Sequence, residues 1–337
     1  MLPDFVSTKL SKYIDLNREG TLIKETVDSS DILTSSNTKL RSVINLEKVN
    51  NIRRINKFHE AVNQALTKNG IYVSCTQTLE SRRKLIREKT PLGFRNIVCF
   101  FDFIFRRVLP KLPFIKNIFF VVTLGLDRVI SKAETLGRLI SCGFEILEYF
   151  EFENLLYVVS KKTKRSEYNL EASYSLIIKL NRYGICESPL KVYKFRTMYP
   201  YSEYLQEYVY KQNKLQDGGK FKNDFRVTSW GKFMRRFWID ELPMIYNWVK
   251  GDLKFIGVRP LSPQYIGLYP KKIRTLRMKL KPGLLPPFYA DLPKTLDEIC
   301  KSEEVYIRKY ISSPLKTQWV YFWKIVSNII VRRSRSK

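Results

Sequence analysis

A chain of 337 residues carrying 60 Lys and Arg against 32 Asp and Glu, for a net charge of +28, is long enough for two domains. Its 44% hydrophobic and 14% aromatic content excludes a disordered polycation. The charge attracts phosphate-bearing partners and leaves three classes open: nucleic acid, an anionic membrane surface, or phosphorylated small substrates.

The N-terminus, MLPDFVSTKLSKYIDL, lacks the basic start and apolar core of a signal peptide, and no apolar run reaches the roughly 20 residues that a spanning helix needs. Residues 52 to 66 place Ile52, Ile55, Phe58, Val62 and Leu66 on one helical face. Asn69-Gly70 is expected to stop that helix before a strand at IYVSC, 71 to 75. The single histidine, His59, falls inside this helix and reads as a partly buried surface residue, which leaves histidine catalysis almost no place. Cys75, Cys99, Cys142, Cys186 and Cys300 stand far apart without a CxxC pair, so neither zinc nor a disulfide framework is indicated and a reducing cytosolic compartment fits.

Residues 94 to 122, FRNIVCFFDFIFRRVLPKLPFIKNIFFVV, contain two apolar pieces around Arg106, Arg107, Pro110, Lys111 and Pro113. The pattern suits a segment at a membrane interface with its cations reaching for headgroups, or equally a pair of core helices broken by proline. From 131 to 161, SKAETLGRLISCGFEILEYF predicts a helix and a strand, and Glu153-Asn154 turns into a second strand, LLYVVSKK. Residues 1 to 165 are therefore expected to form an α/β region. It resembles the later half of a methyltransferase-like Rossmann domain, without the G-x-G-x-x-G turn that would cradle a cofactor, and reads as structural or regulatory.

From 166 to 337 a second, mainly helical α+β domain is expected, giving a mixed α/β chain. YSEYLQEYVYKQNKLQD, 200 to 216, predicts an amphipathic helix ending at Gly218-Gly219. TLDEICKSEEVYIRKY begins with a Thr295 cap. The stretch 314 to 331 carries Trp319, Phe322, Trp323, Ile325, Ile329 and Ile330 ahead of the tail RRSRSK, and suits either a membrane surface or the protein's own core.

The chemistry concentrates in RRFWIDELPMIYNWVKG, 235 to 251. Pro243 suits a first helical turn, Leu242, Ile245, Tyr246 and Val249 form an apolar stripe, and Gly251 ends the helix. Asp240 and Glu241 consequently sit at or just before a helix N-terminus, where negative charge is favoured. A capping role would explain one acid. Two acids bracketed by Lys194 and Arg196 in VYKFRTM, by Asp224 and Arg226 in NDFRVTSWGKF, and by Arg259 in GVRP suit metal-dependent phosphoryl transfer, where one carboxylate holds a divalent ion and the other attacks phosphorus.

VYKFRTM and NDFRVTSWGKFMRRFWIDELPMIYNWVKGDLKFIGVRP, 192 to 198 and 223 to 260, resemble the bacterial sugar transferases, the monotopic polyprenyl-phosphate hexose-1-phosphate transferases. The resemblance implies that Asp240 is the nucleophile toward a UDP-sugar and that Glu241 holds Mg2+. UMP would leave, and a polyprenyl phosphate such as undecaprenyl phosphate would accept the sugar phosphate. It implies further that Arg235 and Arg259 lie near the phosphates, with Lys194 and Arg196 in the same electropositive pocket, on the cytoplasmic face of a bacterial inner membrane. The chain departs from the family pattern at Val258, where a proline is usual, and at PGLLPP, 282 to 287, where many members have PGITG. The nearest counterpart of the family's re-entrant apolar helix, 97 to 122, is shorter, more basic and well upstream. Three rival readings are a basic nucleic-acid binder, a methyltransferase and a catalytically inactive membrane-associated scaffold. The spread of the cations, with no recognised nucleic-acid motif, argues against the first, so no nucleic-acid partner is expected.

Overall fold

A computed structural model describes residues 2–34, 39–112, 115–166, 175–213, 215–216, 220–221 and 224–330. The chain forms two compact units, Met1–Tyr174 with Tyr199–Glu207, and Ser175–Met198 with Tyr208–Lys337. Pro113, Gly218-Gly219 and the tail RRSRSK lie outside the described residues.

The first unit is built on a mixed five-stranded sheet of β1 (Thr21–Lys24), β2 (Leu40–Lys48), β3 (Leu66–Thr76), β4 (Phe144–Phe152) and β5 (Leu155–Lys162) in the order β1-β2-β3-β5-β4. The first three strands run parallel; β5 is antiparallel to both β3 and β4. Helix Asp4–Leu10 packs Val6 and Leu10 against Ile44, Val73 and Val159, each such burial contributing about 1.5–3 kcal/mol. Glu153 and Asn154 both take positive φ, 48° and 62°, the backbone that a tight hairpin needs. The predicted helix-strand-strand succession at 131 to 161 is found, with Ser131 accepting from the Glu134 N–H as N-cap of helix Lys132–Ser141.

The expected stop at Asn69-Gly70 is corrected. The helix spans Ile55–Ala65, β3 starts at once at Leu66, and Asn69, at φ 63°, forms an irregularity inside the strand. Leu66 then still buries its side chain, but as a strand residue. The expected helix at 200 to 216 divides into a 3-10 turn, Ser202–Leu205, and helix Gln206–Asn213.

Of the two readings left open for 94 to 122, neither holds for the whole segment. Arg106 pairs with Asp102 and Asp127, and Arg107 is buried against Glu134 at 2.6 Å, so these two cations are held by the protein and do not reach outward. An acid within reach outcompetes solvent for a guanidinium once burial lowers the local dielectric. The apolar pieces, by contrast, are largely exposed.

His59 is more deeply placed than the sequence suggests, at 0% exposure, with Nδ1 3.3 Å from the Tyr72 hydroxyl. Burial, and then the charge of Arg138, push its pKa down to about 3. The folded state therefore binds fewer protons than the unfolded state between that value and about 6.5, and stability present above that range is lost as pH falls through it. Denaturant titrations are expected to show a loss of about 1.4 kcal/mol per pH unit below pH ~6, and His59→Leu should flatten that dependence.

The second unit contains the hairpin of β6 (Ile177–Tyr183) and β7 (Pro189–Phe195), a short parallel pair Lys254–Ile256 with Gly283–Leu285, and helices that include Leu296–Ser312 and Pro314–Ile330. Ile256, Val258, Tyr306, Ile307, Tyr321 and Ile325 form its core. In the last helix, Tyr321 and Ile325 turn into that core, while Trp319, Trp323 and Ile330 remain exposed, so the core reading accounts for one face of the helix. Thr295 caps Leu296–Ser312 as predicted, accepting from the Glu298 N–H.

Candidate active site

The site lies within the second unit and begins where β7 ends. Lys194 is its penultimate residue, and Arg196-Thr197 leads away from it. Thr197 is a junction: its carbonyl accepts from the Thr228 N–H at 3.0 Å and the Thr228 hydroxyl at 3.2 Å, and its own hydroxyl accepts from Arg235 Nε at 3.0 Å. Thr228 also caps helix Ser229–Arg236 by accepting from the Gly231 N–H at 2.8 Å. Gly231 permits this contact, since a Cβ there would stand 2.0 Å from the Thr197 carbonyl oxygen. The glycine in the motif is thus a close-approach residue, and Arg235 is positioned by the contact.

Helix Ser229–Arg236 ends at Phe237, and Trp238 follows with φ 55°, a left-handed backbone unusual for a bulky residue. Such strain costs on the order of 1 kcal/mol and persists only when neighbours hold it. Here the Trp238 indole donates to the Tyr289 hydroxyl at 3.1 Å. The reversal brings Asp240 and Glu241 into a 3-10 turn, Ile239–Glu241, ahead of helix Met244–Val249. The acids therefore precede the helix, as expected, without a side-chain capping bond at its start. Gly251, at φ 81°, follows its end, also as expected. Asn247 fastens this helix to β7. Its amide oxygen accepts from the Tyr193 N–H at 3.0 Å, and its nitrogen donates to the Lys191 carbonyl at 2.8 Å.

This framework brings Lys194 Nζ to 2.6 Å from Glu241 Oε1. Asp240 is 8% exposed, and its Oδ1 is buried without a hydrogen-bond partner among the described residues. Burial, aided by the charge of Glu241, raises the Asp240 pKa above its usual value, against the opposing pull of Lys194 and Arg235. Burial lowers the Lys194 pKa, as does Arg259, while Glu241 and Asp240 oppose the shift. Two acids and three cations thus share one electrostatic site.

Residues 166–319 match the family model described as bacterial sugar transferase. Over this segment the chain is similar to the bacterial sugar transferases. Similar proteins include the uncharacterized sugar transferase EpsL of Bacillus subtilis (strain 168), 36% identical over 115 residues, which are 34% of this chain and 50% of that protein. The galactosyl transferase CpsE of Streptococcus agalactiae serotype III (strain NEM316) is 32% identical over 139 residues, 40% of this chain and 30% of the relative. A UDP-glucose:undecaprenyl-phosphate glucose-1-phosphate transferase of Klebsiella pneumoniae is 35% identical over 111 residues, 32% and 22% respectively. The chain thus spans half or less of the length of each of these curated relatives.

Within this matched segment, five of the residues singled out from sequence come together electrostatically: Asp240, Glu241, Lys194, Arg235 and Arg259. The others have different placements. Arg226 is buried and forks onto Asp224 through Nε and Nη2 at 2.8 and 2.7 Å, so this pair braces the site instead of offering a free cation. Arg196 donates from Nε to the Ser175 carbonyl at 3.0 Å. Sequence reasoning missed Thr197, Trp238 and Asn247, whose roles depend on backbone partners distant in sequence. It also missed Arg182, half-buried, whose pKa is lowered by burial and then by the charge of Arg259. Val258 packs into the core, and its carbonyl accepts from the Gly283 N–H at 2.9 Å, so the turn before Arg259 is secured without the proline usual in the family. The glycine of PGLLPP permits that close approach, since a Cβ on Gly283 would lie 2.1 Å from the Gly257 nitrogen.

The residues fit a magnesium ion of the water-rich kind. Among the described residues no cluster of three or more His, Cys, Asp or Glu exists, but Mg2+ commonly takes one or two carboxylates and completes its shell with water and substrate phosphate. The unpartnered Asp240 Oδ1 and the Glu241 carboxylate are donors of that type.

Thr228→Ala removes the cap of the arginine-bearing helix together with its bond to Thr197. A stability loss of about 1–2 kcal/mol is expected, read as a lower urea midpoint at unchanged m-value.

Proposed function

We propose that this chain is a phosphoglycosyl transferase that moves a sugar-1-phosphate from a UDP-sugar to a polyprenyl phosphate. The observation that carries the reading is the buried Asp240 carboxylate, with one oxygen free of protein partners, beside the Lys194–Glu241 ion pair and Arg235. An Asp240 oxygen attacks the sugar-bearing phosphorus, forming an acyl phosphate as the P–O bond to UMP breaks. A phosphate oxygen of the polyprenyl acceptor then attacks the same phosphorus. The aspartyl bond breaks, Asp240 is restored, and polyprenyl-diphosphate-sugar leaves. Arg235 and Arg259 stabilise the charge spread over the phosphates, and Lys194 holds Glu241 in place while adding positive charge. Mg2+, held by Glu241 with Asp240 adjacent, would neutralise diphosphate charge.

A lipid-borne acceptor fits the surroundings. Trp230, Phe233, Phe237, Ile245 and Val249 are exposed on the elements that carry Arg235 and follow Asp240. We place the enzyme on the cytoplasmic face of the bacterial inner membrane, as a peripheral or monotopic protein in surface polysaccharide synthesis. No helix among the described residues is long and apolar enough to cross a membrane. The first unit we read as a partial Rossmann-like scaffold, supported by its three parallel strands followed by the β5-β4 pair.

Purified protein in detergent, supplied with Mg2+ and a UDP-sugar panel but no acceptor, should gain the mass of one hexose phosphate and release UMP; adding polyprenyl phosphate should remove the adduct. Turnover without UMP release, or an adduct on another residue, would overturn the mechanism.

A further inference from the structure

The second unit holds a buried ion pair that the proposed reaction does not use. Arg277 stands near the end of helix Lys271–Met278 and Glu303 within helix Leu296–Ser312, their side chains 6% and 2% exposed. Burial pushes the Glu303 carboxyl above its usual pKa, and the charge of Arg277 is the largest influence opposing it. A pair of this kind is a poor source of stability, because desolvation cancels much of the Coulombic gain and apolar residues of similar volume serve as well. Its geometry points to another use.

The guanidinium divides its fork. Nη1 meets Glu303 Oε2, and Nη2 donates to the main-chain carbonyl of Arg259. The Tyr269 ring lies 5.1 Å from the same guanidinium. The preceding carbonyl, of Val258, accepts from the Gly283 N–H at 2.9 Å, and the Leu261 carbonyl accepts from the Tyr183 N–H at 3.3 Å. The backbone of this loop is thus held on both sides of Arg259, whereas Arg259 itself is exposed. A long, exposed side chain is aimed only when the backbone beneath it is fixed. Glu303 contributes twice: it orients Arg277, and it neutralises a charge that would otherwise repel Arg259 at short range.

We infer that Arg277, held by Glu303, is a positioning residue that aims Arg259 at the diphosphate of the nucleotide-sugar. The inference rests on the transferase reading above, which it extends from Arg259 to the pair that anchors it.

Binding of UDP with Mg2+, measured by calorimetry on the full chain, tests the inference without requiring turnover. Arg277→Met alone would leave Glu303 charged, buried and unpaired, and would confound affinity with folding. Arg277→Met combined with Glu303→Gln removes both charges and keeps an acceptor for the Tyr269 hydroxyl, so the urea midpoint should be nearly unchanged. This double variant should still bind UDP about 10-fold more weakly, the loss expected when a charge-assisted phosphate contact is misplaced. In an Arg259→Ala background the same two substitutions should cost less than about twofold, because the residue through which they act is gone. A merely structural pair would show no such coupling. Undiminished UDP affinity in the double variant, or the full loss repeated in the Arg259→Ala background, would overturn the inference. So would unaltered protein that takes up no UDP. UDP affinities that follow the expected cycle without any UMP release from a UDP-sugar would uphold the inference and fault the catalytic reading alone.

Discussion

Asp240→Asn is expected to reduce sugar-phosphate transfer by a factor on the order of 10^4 or more, because the amide has nearly the shape of the carboxylate but lacks a nucleophilic anion. The same substitution should leave thermal stability unchanged or slightly raised. Burial is the leading cause of the raised Asp240 pKa, which means that the folded state resists the ionised form and a neutral side chain relieves that cost. Rate and melting temperature should therefore move independently. Glu241→Gln should also suppress turnover, but with a changed Mg2+ requirement and a Lys194 ammonium left without its partner at 2.6 Å. Product release measured across an Mg2+ titration, alongside calorimetry of each variant, checks both statements. Ordinary turnover by Asp240→Asn would remove the covalent mechanism.

The second large effect is expected at Gly231, a residue that touches no substrate in the proposed reaction. A methyl group there would lie 2.0, 2.7 and 2.9 Å from the oxygen, carbonyl carbon and Cα of Thr197, all backbone atoms that cannot rotate aside. Helix Ser229–Arg236 must then retreat from the end of β7, breaking both the Thr228 contacts and the Arg235–Thr197 bond. Overpacking of this kind costs about 3 kcal/mol, and a displacement of about 1 Å in a phosphate-positioning arginine costs roughly 100-fold in rate. Gly231→Ala should accordingly show a lower denaturation midpoint and a lower kcat together. Gly93→Ala is the matched control, since a Cβ at Gly93 meets nothing within 4 Å and stability should change by less than about 0.5 kcal/mol. Equal behaviour of the two alanine variants would show that the helix and the strand end are not in obligatory contact.

Much of the fold was legible because its signals are local. The apolar spacing of Ile55, Phe58 and Val62 declares a helix face within two turns. Ser131 and Thr295 announce helix starts because a cap acts on an N–H three residues away. The same logic failed at Asn69-Gly70. A left-handed asparagine is compatible with a helix end and with an irregular strand, and only the pairing of Leu40 with Leu66 and of Ser42 with Ile71 decides between them. At Arg106 and Arg107 composition left outward cations and proline-broken core helices equally open. Asp102, Asp127 and Glu134, brought in by folding, captured them.

For the candidate site, the sequence alone determined the chemistry available: adjacent acids at 240 and 241, several cations in ordered motifs, and one histidine in the whole chain. Those are properties of residue type and short spacing, which no later folding can alter. The tertiary structure decided which cations face the acids. Lys194 reaches Glu241 across 47 positions, and Arg235 is aimed by Thr197 across 38, whereas Arg226 is taken by Asp224 two residues away. Whether a charge serves a substrate or a neighbouring side chain depends on which partner arrives first in a low-dielectric interior, and that is settled by packing such as the Gly231–Thr197 contact.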